Sequence, residues 1–518
     1  MTKGQCWLLT AVIVVAALLR FVALERIPYG VNQDEASRAY DAYSLLQTGH
    51  DQHGNPWPLT LESFSRFRDN ASAIAVYAAM PTTALLGPSV LAVRIPSAIA
   101  GVLAVAALGY VGYALSRRWS IGILAAFLLA VSPWHLTLSR TGHEAVWATT
   151  LFLLGLAAFL RARQKPPLFL LAACAWVAAL YGYPIAKLFV PLAGIGFAIA
   201  YWPDLRRHLW WVLSAISLGV VLLIPMLAHQ ASLPDAGRLN EILIFSTGKP
   251  AWLPALVMNT LQYIDPLDWL GAQHSAGPLD WLAALIGIPF FFIYVRTAPT
   301  MHRMRTFASA LLVLSIVPAI VTDSNPNQLR ASYLIIFVAL FGAWGFTALV
   351  DRIPKHVTAS PRVRIAVLMS ACVFATLGYW WFAQPAYALR QGHARSYMPY
   401  TPMAKDIVQL LETKYASVHR VLIVNNNLNQ PQVFFQLFRP WPPAALATDI
   451  HVTLKEDFWY FTKQLGRYTF CHIDDCPKAG PDGVYVQLAI IPALGATVLD
   501  ALRLPAPVSD YAWHITHD

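Results

Sequence analysis

Apolar runs of membrane length, following one another at short intervals, constrain this chain more than any other feature. A helix needs about 20 apolar residues to cross a bilayer. Runs of that order lie near residues 7–24, 92–115, 120–137, 145–160, 167–183, 185–202, 209–228, 280–296, 306–321, 331–350 and 365–383. They predict about eleven transmembrane helices and a polytopic α-helical membrane protein. Composition agrees: 57% of the residues are hydrophobic and 12% charged, where a soluble protein carries about twice that charged share.

The loops between the runs set the expected orientation. Arg117-Arg118, then Arg161, Arg163 and Lys165, then Arg206-Arg207, then Arg296, Arg303 and Arg305, then Arg352, Lys355, Arg362 and Arg364 fall in one alternating set. The positive-inside rule makes that set cytoplasmic. The net charge of +10 is therefore topology charge and does not imply nucleic acid. The other set, 25–91, 138–144, the turn at Pro184, 229–279 and 322–330, is expected outside. Residues 72–87 are apolar but short and contain Pro81. A span there would move every later basic loop outside, so this stretch is expected to be re-entrant or surface-lying. The first run lacks a convincing cleavage site and reads as a retained helix with a cytoplasmic start.

Two regions follow: a transmembrane part, 1–383, whose large outer loops are 25–91 and 229–279, and a polar tail, 384–518. The tail reads as a small extracytoplasmic α/β domain. Helices are expected over Thr401 to Tyr415 and around Gln430 to Leu437, with strands over His419 to Val424 and near 467–472, 483–488 and 510–515. Of five cysteines, Cys6, Cys174 and Cys372 lie in apolar runs and read as packing residues. Cys471 and Cys476 lie in the tail; their spacing does not suit a zinc pair, and an outside location permits a local disulfide.

The first outer loop places Asp34 and Glu35 together just beyond the first span. Asn32 with Glu35 three residues on is a capping-box pattern, and acids at a helix start favour the dipole. That plain explanation covers Glu35 better than Asp34. Ionisable groups beside spans are candidates for function. Arg140, His143 and Glu144 occur within five residues of the second outer loop, where snorkelling and capping are the plainer roles. Lys187 follows the Tyr181-Gly182-Tyr183-Pro184 turn. His274 lies in the 229–279 loop with Asp265 and Asp268, and Arg330 stands at a span entrance. Arginine suits bidentate phosphate binding. Inside the runs, Arg20 is the clearest ionisable residue. A transporter would be expected to carry more such groups at mid-membrane.

Ile27-Pro28-Tyr29-Gly30-Val31-Asn32-Gln33-Asp34-Glu35-Ala36-Ser37 and the continuation through Gly54 resemble the first outer loop of bacterial C-type (GT-C) glycosyltransferases. These are relatives of protein O-mannosyltransferases and of the lipid A aminoarabinose transferase. Val93-Arg94-Ile95-Pro96, Ser139 to Ala145, Tyr183 to Leu192 and Gly466 to Phe470 are similar to segments of the same family. The resemblance implies an inverting transferase in the cell membrane. It would move a sugar from a polyprenyl-phosphate donor to a glycan, lipid or protein acceptor on the outer face. Asp34 is the general base so implied, with Glu35 beside it, and Arg140, His143, Lys187, His274 and Arg330 are candidates for the donor phosphate and substrate. Some members use a divalent metal and others none; no cluster here demands one. The chain departs from many relatives after Ser63-Phe64, where Ser65-Arg66-Phe67-Arg68-Asp69-Asn70 replaces a Gly-Asp-Tyr-Lys-Pro-Pro-like run. The alternatives are a lipid-linked sugar flippase, which predicts a polar path through the spans, and a non-catalytic scaffold.

Overall fold

In the computed structural model, the described residues are 1–61, 64, 71–231, 243–246, 252–264, 277–297, 302–322, 329–352, 369, 370, 373, 376, 401–425, 428–454, 460–489, 494, 497–504 and 512–517. The chain divides into two compact units. One comprises Met1–Val22 and Ser97–Trp380, the other Ala23–Pro96 and Trp381–Asp518. The loop after the first helix thus groups with the tail.

The first unit is helical. Its early elements are α1 (Lys3–Phe21), and, in the second unit, α2 (Gln33–Thr48) and α3 (Ala73–Leu86) precede α4 (Val90–Ser116), which runs on into the first. Then come α5 (Trp119–Val131), α6 (Pro133–Arg140), α7 (Ala145–Ala162), α8 (Leu168–Gly182), α9 (Ala186–Ala200), α10 (Trp202–Arg207) and α11 (Leu209–Ala231). Helices over Trp252–Ile264, Ile288–Thr297, His302–Ile320 and Ser332–Val350 follow. Five described helices are long and apolar enough to cross a membrane: α1, α4, α7, α11 and Ser332–Val350. The bent pair α5–α6 makes a sixth. Several other expected spans are apolar helices of 10–17 residues, among them α8 and α9. The expected span 365–383 lies almost wholly outside the described residues.

The expected continuous span 120–137 is broken instead. The axis turns by 62° between α5 and α6, with Ser132 as N-cap and Pro133 in the first turn of α6. Proline has no N–H for the carbonyl four residues back, here Leu129. Arg20 supplies the missing donors: Nη1 donates to Ala130 (3.1 Å) and Nη2 to Leu129 (3.4 Å). Nη2 also lies 2.8 Å from Nδ1 of His135. Asp280 accepts from the Ser132 hydroxyl (3.0 Å) and the Gly277 N–H (2.9 Å). Arg20 is therefore not alone among the apolar runs, because His135 and Asp280 are buried at the same break. Their bonds close helix ends, and they form a local knot. Elsewhere small residues let backbones meet: a Cβ on Gly345 would run into the Gly287 carbonyl.

The second unit is built on a seven-stranded mixed sheet. Its strands are β3 (Arg420–Val424), β4 (Ile450–Leu454), β5 (Tyr460–Leu465), β6 (Tyr468–Cys471), β7 (Gly483–Ala489), β8 (Thr497–Arg503) and β9 (Ala512–His517), numbered after a short pair, β1 (Thr60–Leu61) and β2 (Ala71–Ser72). The order is β4-β5-β6-β3-β7-β9-β8. β3 is parallel to both β6 and β7, and its residues from Val421 on are buried, as a central parallel strand should be. The expected tail helices correspond to Ala404–Thr413 and Gln432–Phe438, and the expected strands to β3, β6, β7 and β9. Strands β4, β5 and β8 were not foreseen. Cys471 and Cys476 form a disulfide.

Candidate active site

Helix α2 carries the first-loop acids and is held from several sides. The side chain of Asn32 accepts from the Asp34 N–H (2.8 Å), and Glu35 Oε2 accepts from the Asn32 N–H (3.1 Å). The expected capping box is complete. Arg94, fully buried at the start of α4, donates to both oxygens of Glu35, from Nε at 2.8 Å and Nη2 at 3.1 Å. The same guanidinium donates to the carbonyls of Leu24 (3.0 Å), Glu25 (3.3 Å), Pro28 (3.1 Å) and Gly30 (2.9 Å). One planar fork thus gathers the chain entering α2 and pins its third residue.

Gly30 has φ +85, and a Cβ there would lie 2.9 Å from the Thr401 carbonyl oxygen. The close approach lets Val31 and Thr401 exchange backbone hydrogen bonds of 3.2 and 2.8 Å. Further along α2, Tyr40 donates to the Trp441 carbonyl (2.8 Å). Ala36, Ala39 and Leu45 pack with Val76, Val93 and Phe434.

Within this clamp the carboxylates differ. Glu35, Asp41 and Asp51 are buried, at 2%, 1% and 3% exposure. The Asp34 side chain is 32% exposed, with the buried Arg38 guanidinium 4.0 Å away. Asp34 is the second residue of α2, where the helix dipole favours negative charge. Asp41 accepts from the Gln52 N–H (3.0 Å) and side-chain amide (3.1 Å). Burial, then the neighbouring Asp51 charge, pushes its carboxyl up to about 8 against the pull of Gln52 and Arg38. Asp51 folds the 51–55 turn around itself, accepting from the N–H groups of His53 and Asn55.

The other candidates belong to the first unit. Arg140 is buried, and its guanidinium donates to the carbonyls of Leu19 and Val22 at the end of α1, the latter at 2.9 Å. It caps a helix and does not snorkel. The Ala145 N–H donates to His143 Nδ1 (3.2 Å) at the entry to α7. The His143 ring meets Tyr183 edge-on with centroids 5.8 Å apart, which brings the loop between α6 and α7 to the Tyr183–Lys187 turn. Lys187 is half-buried in the first turn of α9, and Arg330 is buried just before Ser332–Val350. His274, Asp265 and Asp268 lie outside the described residues. Among the described residues, no three His, Cys, Asp or Glu side chains gather to hold a metal ion.

Arg94 and Arg38 were missed as parts of the site. Arg38 had a readable signal, four residues after Asp34 on a helix. Arg94 had its place at a span start and the family resemblance of Val93-Arg94-Ile95-Pro96, neither of which names a partner 59 residues earlier.

No family model and no curated protein matches the chain. Solved structures do. ArnT from Cupriavidus metallidurans bound to undecaprenyl phosphate aligns over 99% of this chain and 98% of its own, with 13% identity and a TM-score of 0.59. Apo ArnT from the same organism aligns over 84% and 85%, with 12% identity and a TM-score of 0.55. An Archaeoglobus fulgidus oligosaccharyltransferase tethered to an acceptor peptide aligns over 86% and 60%, with 12% identity and a TM-score of 0.48. Nearly end-to-end superposition on ArnT gives this chain the fold of the GT-C membrane glycosyltransferases, the family its first-loop sequence resembles.

Proposed function

We propose that this chain is an integral-membrane glycosyltransferase using a polyprenyl-phosphate sugar, with Asp34 as general base. The observation that carries this reading is the contrast within one helix. Glu35 is committed to Asn32 and Arg94, Asp41 and Asp51 are buried, and Asp34 alone of these four keeps an exposed face on a rigid support. In the proposed reaction the Asp34 carboxylate takes the acceptor hydroxyl proton as that oxygen attacks the anomeric carbon. The bond from that carbon to the phosphate oxygen breaks with inversion, and polyprenyl phosphate leaves with the electron pair.

The leaving phosphate gains charge and needs cations. Lys187, His274 and Arg330 are the proposed donors, with His143 near the Tyr183 turn as a further contact. Arg140 is assigned to positioning, because its guanidinium is spent on α1. Glu35 is likewise assigned to positioning Asp34. ArnT in complex with undecaprenyl phosphate supports a lipid-linked donor. The acceptor class is a glycan, lipid or protein, and the outer face is proposed from loop charge. Mass spectrometry of lipid-linked sugars and surface glycans tests the reading in cells. Cells carrying only Asp34→Asn protein should accumulate a polyprenyl-phosphate sugar and lose one surface modification. Unchanged profiles would remove the assignment.

A further inference from the structure

Between α4, α7 and α8 runs an apolar groove of about 630 Å³. Leu151, Leu154 and Ala157 line it from α7, Leu171 and Ala178 from α8, and Tyr110 from α4. It meets a polar hollow of about 200 Å³ that includes Arg117, Arg161, Arg163, Gln164 and Asp204. Tyr110 and Arg161 line both, so the two adjoin.

The polar end is basic and organised. Arg163 is held by Asp204 at 2.9 Å and lies over the Tyr201 ring at 5.0 Å. Arg161 donates to the Gln164 side chain at 2.8 Å. Three arginines against one carboxylate leave a charge of 3 − 1 = +2 in the hollow. From Leu151 to Arg161, ten residues of helix rise about 15 Å, half of a hydrocarbon core about 30 Å thick. The groove is therefore as deep as one leaflet. Arg161 is in the last turn of α7 and His143 lies just before its first. The basic hollow is thus a helix length away from the second-loop cluster.

We propose that this groove binds an anionic phospholipid, with one acyl chain along α7 and α8 and its phosphodiester headgroup over Arg117 and Arg161. The single-leaflet depth suits an acyl chain, whereas a long polyprenyl chain would overrun it. Loop charge makes this end cytoplasmic, and basic pockets between spans on that side take anionic headgroups.

Native mass spectrometry of the purified full chain, titrated with phosphatidylglycerol, phosphatidylcholine or undecaprenyl phosphate, tests this. Wild type should retain phosphatidylglycerol over phosphatidylcholine. The Arg117→Gln/Arg161→Gln double variant should bind phosphatidylglycerol roughly 30-fold more weakly, from about a fivefold loss per basic residue near the membrane surface. Ala178→Leu, which narrows the groove and leaves the charge, should also weaken it. Undecaprenyl phosphate binding should be unchanged in the double variant. Lys165→Gln, on the same loop but outside the hollow, should behave as wild type. The proposal is overturned by wild-type phosphatidylglycerol affinity in the double variant, by an equal loss in Lys165→Gln, or by loss of undecaprenyl phosphate alone.

Discussion

Glu35 and Asp34 are neighbours in sequence and opposites in use. Glu35 gives both oxygens to groups that hold α2 in place, while Asp34 meets solvent. Removing one partner of a buried ion pair costs about 3–5 kcal/mol. Arg94→Ala should cost at least that, since several carbonyls also lose their donor. A thermal unfolding scan in detergent should show a large drop for Arg94→Ala and a smaller one for Arg94→Lys, with Asp34→Asn close to wild type. A wild-type melting profile for Arg94→Ala would refute the clamp. The sequence made half of this readable. The Asn32–Glu35 box closes within one helical turn, so spacing alone reveals it. The Glu35–Arg94 pair depends on how the chain folds back, and no local pattern encodes that.

At the scale of elements, α2 and the 51–55 turn share a titratable joint. Asp41 is held about 8 in the fold, by burial and by Asp51, against an ordinary 3.8. A carboxyl raised in the fold costs nothing while both states are protonated. Between about pH 4 and pH 8 the unfolded chain ionises first, so stability falls as pH rises. The unfolding midpoint should therefore drop from pH 5 to pH 8, and Asp41→Asn should flatten that slope. Parallel slopes for the two proteins would contradict this. The α5–α6 break was also within reach of the sequence, because Ser132-Pro133 is a helix-start signal. The apolar run continuing through it hid the signal. Strands β4 and β8 stand at the two edges of the sheet. Edge strands need no two-sided apolar pattern, and β8 is largely exposed.

For the whole molecule, the apolar run lengths reached the membrane class, and the resemblance of the first loop, not any periodicity, pointed to the GT-C fold. Neither reached the length of each helix, which prolines and bends shorten. Orientation remains a proposal from loop charge, and labelling tests it. With Cys6, Cys174 and Cys372 replaced by serine, a membrane-impermeant thiol reagent should modify His50→Cys and Thr413→Cys in intact cells and spare Lys165→Cys. Labelling of Lys165→Cys alone would invert the molecule. The central claim is that Asp34 is the base. Its most direct test is single-turnover transfer by purified protein from a polyprenyl-phosphate sugar to the acceptor, alongside donor binding. Asp34→Asn should bind donor as wild type does and transfer it about 100- to 10,000-fold more slowly. A folded Asp34→Asn protein that transfers sugar at the wild-type rate would contradict the account.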